Sequence, residues 1–271
     1  MMVDEPKEGF LKSGGHKLHY LLWGATGPKL VFIHSMGMDA RGFDETTRAL
    51  SDRYQILALD ILDHGDSDTP EEPISLPDHA DVMRDCYRQL GFMPNVLVGH
   101  SVGGMLGMVL AAEYPEDLKG LILVDIAPFR MDREGRPPRP QPPDFFEDEE
   151  HARRYIIERY PDFTEESVEN RLKYSFVTGD DGKLRRKKTG DALRGSLATD
   201  LWPYVERMKV PTLLLRGATS QTVTEETVAR MERTLPDLEV VTVEGVGHMI
   251  PQGKPAEFLG LLEGYFKRLG L

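Results

Sequence analysis

The chain has 271 residues, 40% of them hydrophobic and 29% charged, which is enough apolar material to bury a sizeable core. Its 33 basic and 45 acidic residues leave a net charge of -12, so it lacks the basic footprint with which nucleic-acid binders neutralise phosphates. Cys86 is the only cysteine, which excludes an internal disulfide, and no apolar run approaches the ~18 residues needed to span a bilayer.

The start, Met-Met-Val-Asp-Glu-Pro, has neither the basic nor the apolar stretch of a signal peptide, so a cytoplasmic location is expected. Nothing in the sequence sets an oligomeric state. Along the chain, residues 16–23 read as part of an antiparallel hairpin. Continuous apolar runs follow at 30–33, 56–59, 96–98, 121–124 and 213–215, as expected of strands covered on both faces. Residues 238–243 alternate and complete the set. Helical patterns at 40–50, 78–90, 102–114, 225–235 and 256–269 lie between and after these runs, and Pro115 and Pro236 stop two of them. Alternating strands and helices predict a mostly parallel sheet flanked by helices.

This rhythm breaks after Val124. Residues 136–143 (Arg-Pro-Pro-Arg-Pro-Gln-Pro-Pro) read as a stiff connector. Helical patterns follow at 145–160, 164–176 and 191–208, and Tyr155, Tyr160, Phe163, Tyr174, Phe176 and Trp202 argue against disorder there. The expected organisation is a core of residues 1–127 and 209–271 carrying a helical cap of residues 128–208. A basic run at 183–188, just after Gly179-Asp180-Asp181-Gly182, reads as a solvated loop.

The chemistry points to Gly99-His100-Ser101-Val102-Gly103, a G-x-S-x-G sequence between a buried strand and a helix. A serine there sits on a sharp turn, and flanking glycines let strand and helix pass closely. A serine hydroxyl needs a base to take its proton. Of eight histidines, His248 lies late in the chain, in Gly245-Val246-Gly247-His248, between the last strand and the last helix. The loop His34-Ser35-Met36-Gly37 and the helix after Ser101 stand where backbone N–H groups form an oxyanion hole, with Met36 and Val102 as the expected donors. His34 itself reads as a structural hydrogen-bonding residue.

These residues resemble the α/β-hydrolase superfamily on both sides of the insert. Asp60-Ile61-Leu62-Asp63-His64-Gly65-Asp66-Ser67 is similar to that superfamily's Asp-x-x-Gly-x-Gly-x-Ser loop, with Asp63 in place of the first glycine. His34-Ser35-Met36-Gly37-Met38-Asp39 looks like the corresponding loop of 3-oxoadipate enol-lactonases and related small esterases. The resemblance implies an α/β-hydrolase fold and a triad whose acid usually follows the strand at 213–215. In similar sequences an aspartate commonly stands where this chain has Gln221. Some α/β-hydrolases, certain dehalogenases among them, take the acid from the preceding strand, where this chain has Asp125. Asp125 as the acid and Gln221 as a neutral orienter both remain open at this point; Glu225 and Glu226 suit a helix N-terminus.

The expected activity is cleavage of a small carboxylic ester or lactone, with no metal or organic cofactor and a small molecule as the partner. Carbon–carbon bond hydrolysis or cofactor-free lyase or oxygenase chemistry is the alternative on the same fold, although Ser35-Met36-Gly37-Met38 does not resemble the Gly/Pro-rich loop of carbon–carbon hydrolases. A ligand-binding protein built on an impaired hydrolase is the third reading. Met36, Met105, Met131 and the aromatics after residue 150 suggest a partly apolar pocket; Arg130, Arg153 or Arg154 could meet a carboxylate, but each reads more simply as a surface charge.

Overall fold

The computed structural model describes residues 5–128, 142–190, 193 and 197–271. Eight strands form the central sheet: β1 (Lys7–Ser13), β2 (His16–Trp23), β3 (Lys29–Ile33), β4 (Gln55–Leu59), β5 (Asn95–His100), β6 (Leu118–Val124), β7 (Thr212–Gly217) and β8 (Leu238–Val243). Their order is β1-β2-β4-β3-β5-β6-β7-β8. Strand β2 runs antiparallel to β1 and β4, whereas the pairings from β4 to β8 are parallel.

Side-chain alternation divides the core in two. Val31, Ile33, Leu57, Leu59, Leu97, Leu121 and Leu123 face one layer, which they share with α2 (Leu76–Gln89) and α3 (Val102–Glu113), the two helices that follow α1 (Asp44–Leu50). Leu30, Phe32, Ile56, Val96, Val98, Ile122 and Val124 face the other, where Phe258, Leu262 and Phe266 of the C-terminal helix Pro255–Arg268 close the core. Helix α3 is apolar almost all round because it packs between the sheet and other helices. The N-terminal hairpin, the six later strands and the helices around 40–50, 78–90, 102–114, 225–235 and 256–269 all appear within a few residues of expectation.

The segment between β6 and β7 departs from the expected all-helical pattern. Two helices do form, Glu149–Arg159 and Glu165–Tyr174, capped by Asp148 and Thr164 side chains. The chain then turns to strand: Phe176–Thr178 pairs antiparallel with Leu184–Arg186, and Lys188–Thr189 pairs with His64–Gly65. Val177 and Thr178 favour an extended backbone, and Gly182 at φ +76° makes the turn that joins the pair. The run 183–188 is therefore no solvated loop. Lys187 Nζ donates to Asp66 Oδ2 at 2.6 Å, Lys188 Nζ donates to the Ser67 carbonyl at 2.5 Å, and Arg185 grips Asp181 through two bonds of 2.7 Å.

From the expected helix at 191–208 the described part contains only a short turn, Trp202–Val205. Residues 191, 192 and 194–196, like Arg130, Met131 and most of the 136–143 connector, lie outside the described residues. Phe146, Ala152, Ile156, Val168 and Phe176 form a small core of the insert's own, joined by Tyr155, Tyr160 and Phe163. These aromatics thus serve the insert's packing. Among the described residues no helix is long and apolar enough to cross a membrane.

Leu214 is fully buried at the centre of β7. Leu214→Ala is expected to cost about 2–5 kcal/mol, read as a lower urea midpoint at unchanged slope.

Candidate active site

Four adjacent parallel strands end on the same side of the sheet. Ser101 follows β5, Asp125 follows β6, Ser220 lies in the loop after β7 and His248 lies in the loop after β8. Neighbouring strands are about 4.8 Å apart, so residues just past their carboxyl ends come within side-chain reach of one another.

Ser101 has φ +53° and ψ -114°, a conformation that costs a non-glycine residue about 1–3 kcal/mol. The surroundings enforce it. A Cβ on Gly99 would stand 2.4 Å from the Gly103 carbonyl oxygen, and one on Gly103 would stand 2.1 Å from that of Ile33. The Ser101 amide donates to the Val124 carbonyl at 3.0 Å, which ties the turn to β6. Val102 opens α3, where first-turn amides have no acceptor within the helix.

Asp125 is fully buried, also at positive φ (+46°), and its amide donates to the Leu215 carbonyl at 2.7 Å. Its Oδ1 accepts from the Gly217 amide at 3.0 Å, while Oδ2 accepts from Ser220 Oγ at 2.5 Å and meets His248 Nδ1 at 2.6 Å. Burial pushes this carboxyl upward, but the His248 bond and charge, with the Ser220 and Gly217 bonds, outweigh it and hold the group below its usual 3.8. A carboxylate acceptor at Nδ1 places the neutral imidazole's proton there and leaves Nε2 with its lone pair. Thr222 Oγ1 lies 3.4 Å from the same Nδ1. Gln221 is exposed, so of the two acid candidates Asp125 is the one brought to the imidazole. Ser220, Thr222 and the Gly217 amide are partners that sequence reasoning missed; the only signal was hydroxyl residues on both sides of Gln221.

His100 and His34 complete the frame without facing the chemistry. His100 Nε2 donates to the His248 carbonyl at 2.8 Å, and the two rings are 5.0 Å apart, so His248 is tied beside the serine turn. His34 Nδ1 donates to the Ser35 carbonyl at 2.8 Å while its Nε2 accepts the Ile61 amide at 3.0 Å. Burial depresses both to about 3, so both are neutral. Met36 occupies the second position of a turn closed by the Met38 amide on the Ser35 carbonyl at 3.0 Å, with Gly37 at φ +76° in the third. Such a turn leaves the second residue's N–H out of its closing bond. Asp60, heading the loop singled out in the sequence, is buried and accepts from His19 Nδ1, the Ala40 amide and the Asp66 amide. Asp63 takes φ +61°, which explains why a glycine suits its position.

Among the described residues, one group has metal-ligand spacing: Glu8, His19 and Asp66, whose ligand atoms lie within 4.8 Å of one another near β1 and β2. Arg41 and Lys187 already pair with Glu8 and Asp66. Arg153 meets Glu149, Glu165 and Glu169, and Arg154 meets Glu150, which fits their reading as surface charges.

A family model described as the alpha/beta hydrolase fold matches residues 28–255. The chain belongs to the α/β-hydrolase family. Among its relatives is the 2-(acetamidomethylene)succinate hydrolase of Mesorhizobium japonicum, 30% identical over 239 residues that cover 85% of this chain and 84% of that protein. A crystal structure of E-2-(acetamidomethylene)succinate hydrolase matches with a TM-score of 0.87 at 27% identity, covering 97% of this chain and 100% of the other. An esterase of Mycobacterium tuberculosis is 27% identical over 254 residues, covering 90% of this chain and 84% of that one.

Two outcomes follow for the site. Gly103→Ala is expected to destabilise by about 1–3 kcal/mol or more, because its clash is with backbone, and thermal unfolding measures it. A depressed Asp125 pKa means its stabilisation is present above about pH 3.8 and is lost as pH falls through the folded-state value. Chemical denaturation of Asp125→Asn across that range is expected to show a weaker loss toward acid than the parent.

Proposed function

We propose that this α/β-hydrolase cleaves a small carboxylic ester or lactone through an acyl-enzyme on Ser101. The observation that carries this reading is the 2.6 Å contact between His248 Nδ1 and the buried Asp125, beside a serine held in a strained turn. In this reading Ser101 Oγ attacks the substrate carbonyl carbon as His248 Nε2 takes its proton, and Asp125 stabilises the imidazolium. The oxyanion accepts hydrogen bonds from the Met36 and Val102 amides. The intermediate collapses, the leaving alkoxide takes the proton from His248, and the acyl group stays on Ser101. Water, deprotonated by His248, then attacks the acyl carbon; the acyl–Ser101 bond breaks as Ser101 Oγ takes that proton back from His248, releasing the acid and the free serine. The steps need no metal or organic cofactor. Residues 128–208 act as a cap, a role supported by the bonds of their described part to the loops around Met36 and His248.

A second reading concerns the bond cleaved. One relative, 30% identical over 85% of this chain, is named for 2-(acetamidomethylene)succinate, so a substrate bearing an acetamido group competes with a simple ester. Turnover of that compound against a short-chain p-nitrophenyl ester separates the two readings.

A serine-directed phosphonate is expected to label the parent protein and not Ser101→Ala; labelling that persists in Ser101→Ala would sink the assignment. Asp125→Asn is expected to lower kcat by roughly 10^4-fold, as loss of the acid does in serine triads. Steady-state kinetics showing nearly full rate in that variant would remove Asp125 from the mechanism.

A further inference from the structure

The insert helix Glu165–Tyr174 directs Arg171 at the turn that carries Met36. Arg171 is only 3% exposed, and a buried guanidinium demands compensating partners. It finds them in an unusual place. Nη2 donates to the Gly37 carbonyl at 2.8 Å, and Nη1 lies against the Met38 sulfur. The Tyr160 ring lies 5.2 Å from the guanidinium carbon. Among the described residues no carboxylate stands at ion-pair distance, and Nε has no hydrogen-bond partner. The buried guanidinium thus makes its direct contacts with one backbone carbonyl and a sulfur, and reaches the buried Asp39 carboxyl only through space.

The turn needs an external hold. Gly37 sits at φ +76°, and a Cβ there would meet nothing within 4 Å, so packing does not wedge the turn at this residue. Besides the packing of Met36 and Met38, hydrogen bonds hold it: the Met38 amide and His34 Nδ1 on the Ser35 carbonyl from within, and Arg171 on Gly37 from the insert. The same face of the insert grips the following residues, with Ser175 Oγ donating to Asp39 Oδ2 at 2.5 Å and Asn170 Nδ2 to Asp44 Oδ2 at 3.1 Å.

We infer that Arg171 is a positioning residue for the oxyanion hole, holding the Gly37 carbonyl so that the neighbouring Met36 amide faces the developing negative charge. The inference rests on Met36 being an oxyanion donor, as proposed above. It assigns Arg171 no contact with substrate. Displacing a donor affects the transition state more than the ground state, so the loss falls on kcat rather than KM. A purely structural clasp would lower thermal stability without that selectivity.

The test compares the parent protein, Arg171→Met and Arg171→Lys on a short-chain p-nitrophenyl ester. An alkylboronic acid serves as the second probe, because it forms a tetrahedral adduct on the serine. Arg171→Met is expected to lower kcat by about 10- to 100-fold with KM within about 3-fold, somewhat less than deleting a donor outright. Boronate affinity is expected to fall by a similar factor. Arg171→Lys, which keeps a donor for the Gly37 carbonyl, is expected to recover at least part of both losses. If circular dichroism shows that Arg171→Met does not fold, Arg171→Gln takes its place with the same expectation. Unchanged kcat and boronate affinity in a folded variant, or a rise confined to KM, would overturn the inference while leaving the Ser101 reading intact. A parent protein with neither turnover nor phosphonate labelling would overturn the Ser101 reading, and this inference with it.

Discussion

The site depends on how closely α3 passes over the ends of β3 and β5. With no side chain at Gly99 or Gly103, backbone meets backbone where any Cβ would collide with a carbonyl oxygen. That proximity forces the strand-to-helix turn into the conformation that lifts Ser101 off the sheet, and it leaves the first amides of α3 open beside it. The strain at Ser101 is sustained because hydrophobic packing on both faces holds the strand and the helix in place.

Around that turn the electrostatics follow from burial. His34 and His100, sealed from water, stay neutral and act as fixed hydrogen-bonding braces for the loops that flank the serine. Asp125 is equally sealed, yet it collects a backbone amide, a serine hydroxyl and an imidazole, enough to keep its charged form favoured. The Asp125 carboxylate is thus kept ionised beside the partly exposed His248 imidazole, whose side chain is 36% accessible.

The insert binds the core at both edges of the site. Arg171 and Ser175 hold the loop from Gly37 to Asp39, while Asp162 Oδ2 accepts the Gly247 amide at 3.0 Å, next to His248. Its own small aromatic core gives it a body that these bonds can lever against. Loops that would otherwise be among the least restrained parts of the molecule are therefore pinned from two sides.

Local patterning by itself determined the strands, their order along the chain and most of the helices, and it singled out a serine at a strand–helix turn as a candidate. These are short-range properties: apolar periodicity, proline stops and glycines flanking a turn. It did not disclose the strands at Phe176–Thr178 and Leu184–Arg186, whose pairing depends on partners outside the window that periodicity reads. Nor did it decide between Asp125 and Gln221. Both follow neighbouring strands, and the choice depends on which side chain turns toward the His248 imidazole, 123 positions from Asp125. Ser220, Thr222 and Arg171 had no signal of their own, because a hydroxyl or a guanidinium acquires its role only from the atom it meets across the fold. The tertiary structure decided those contacts, since hydrogen bonds are directional and short, and only packing brings distant residues within their range.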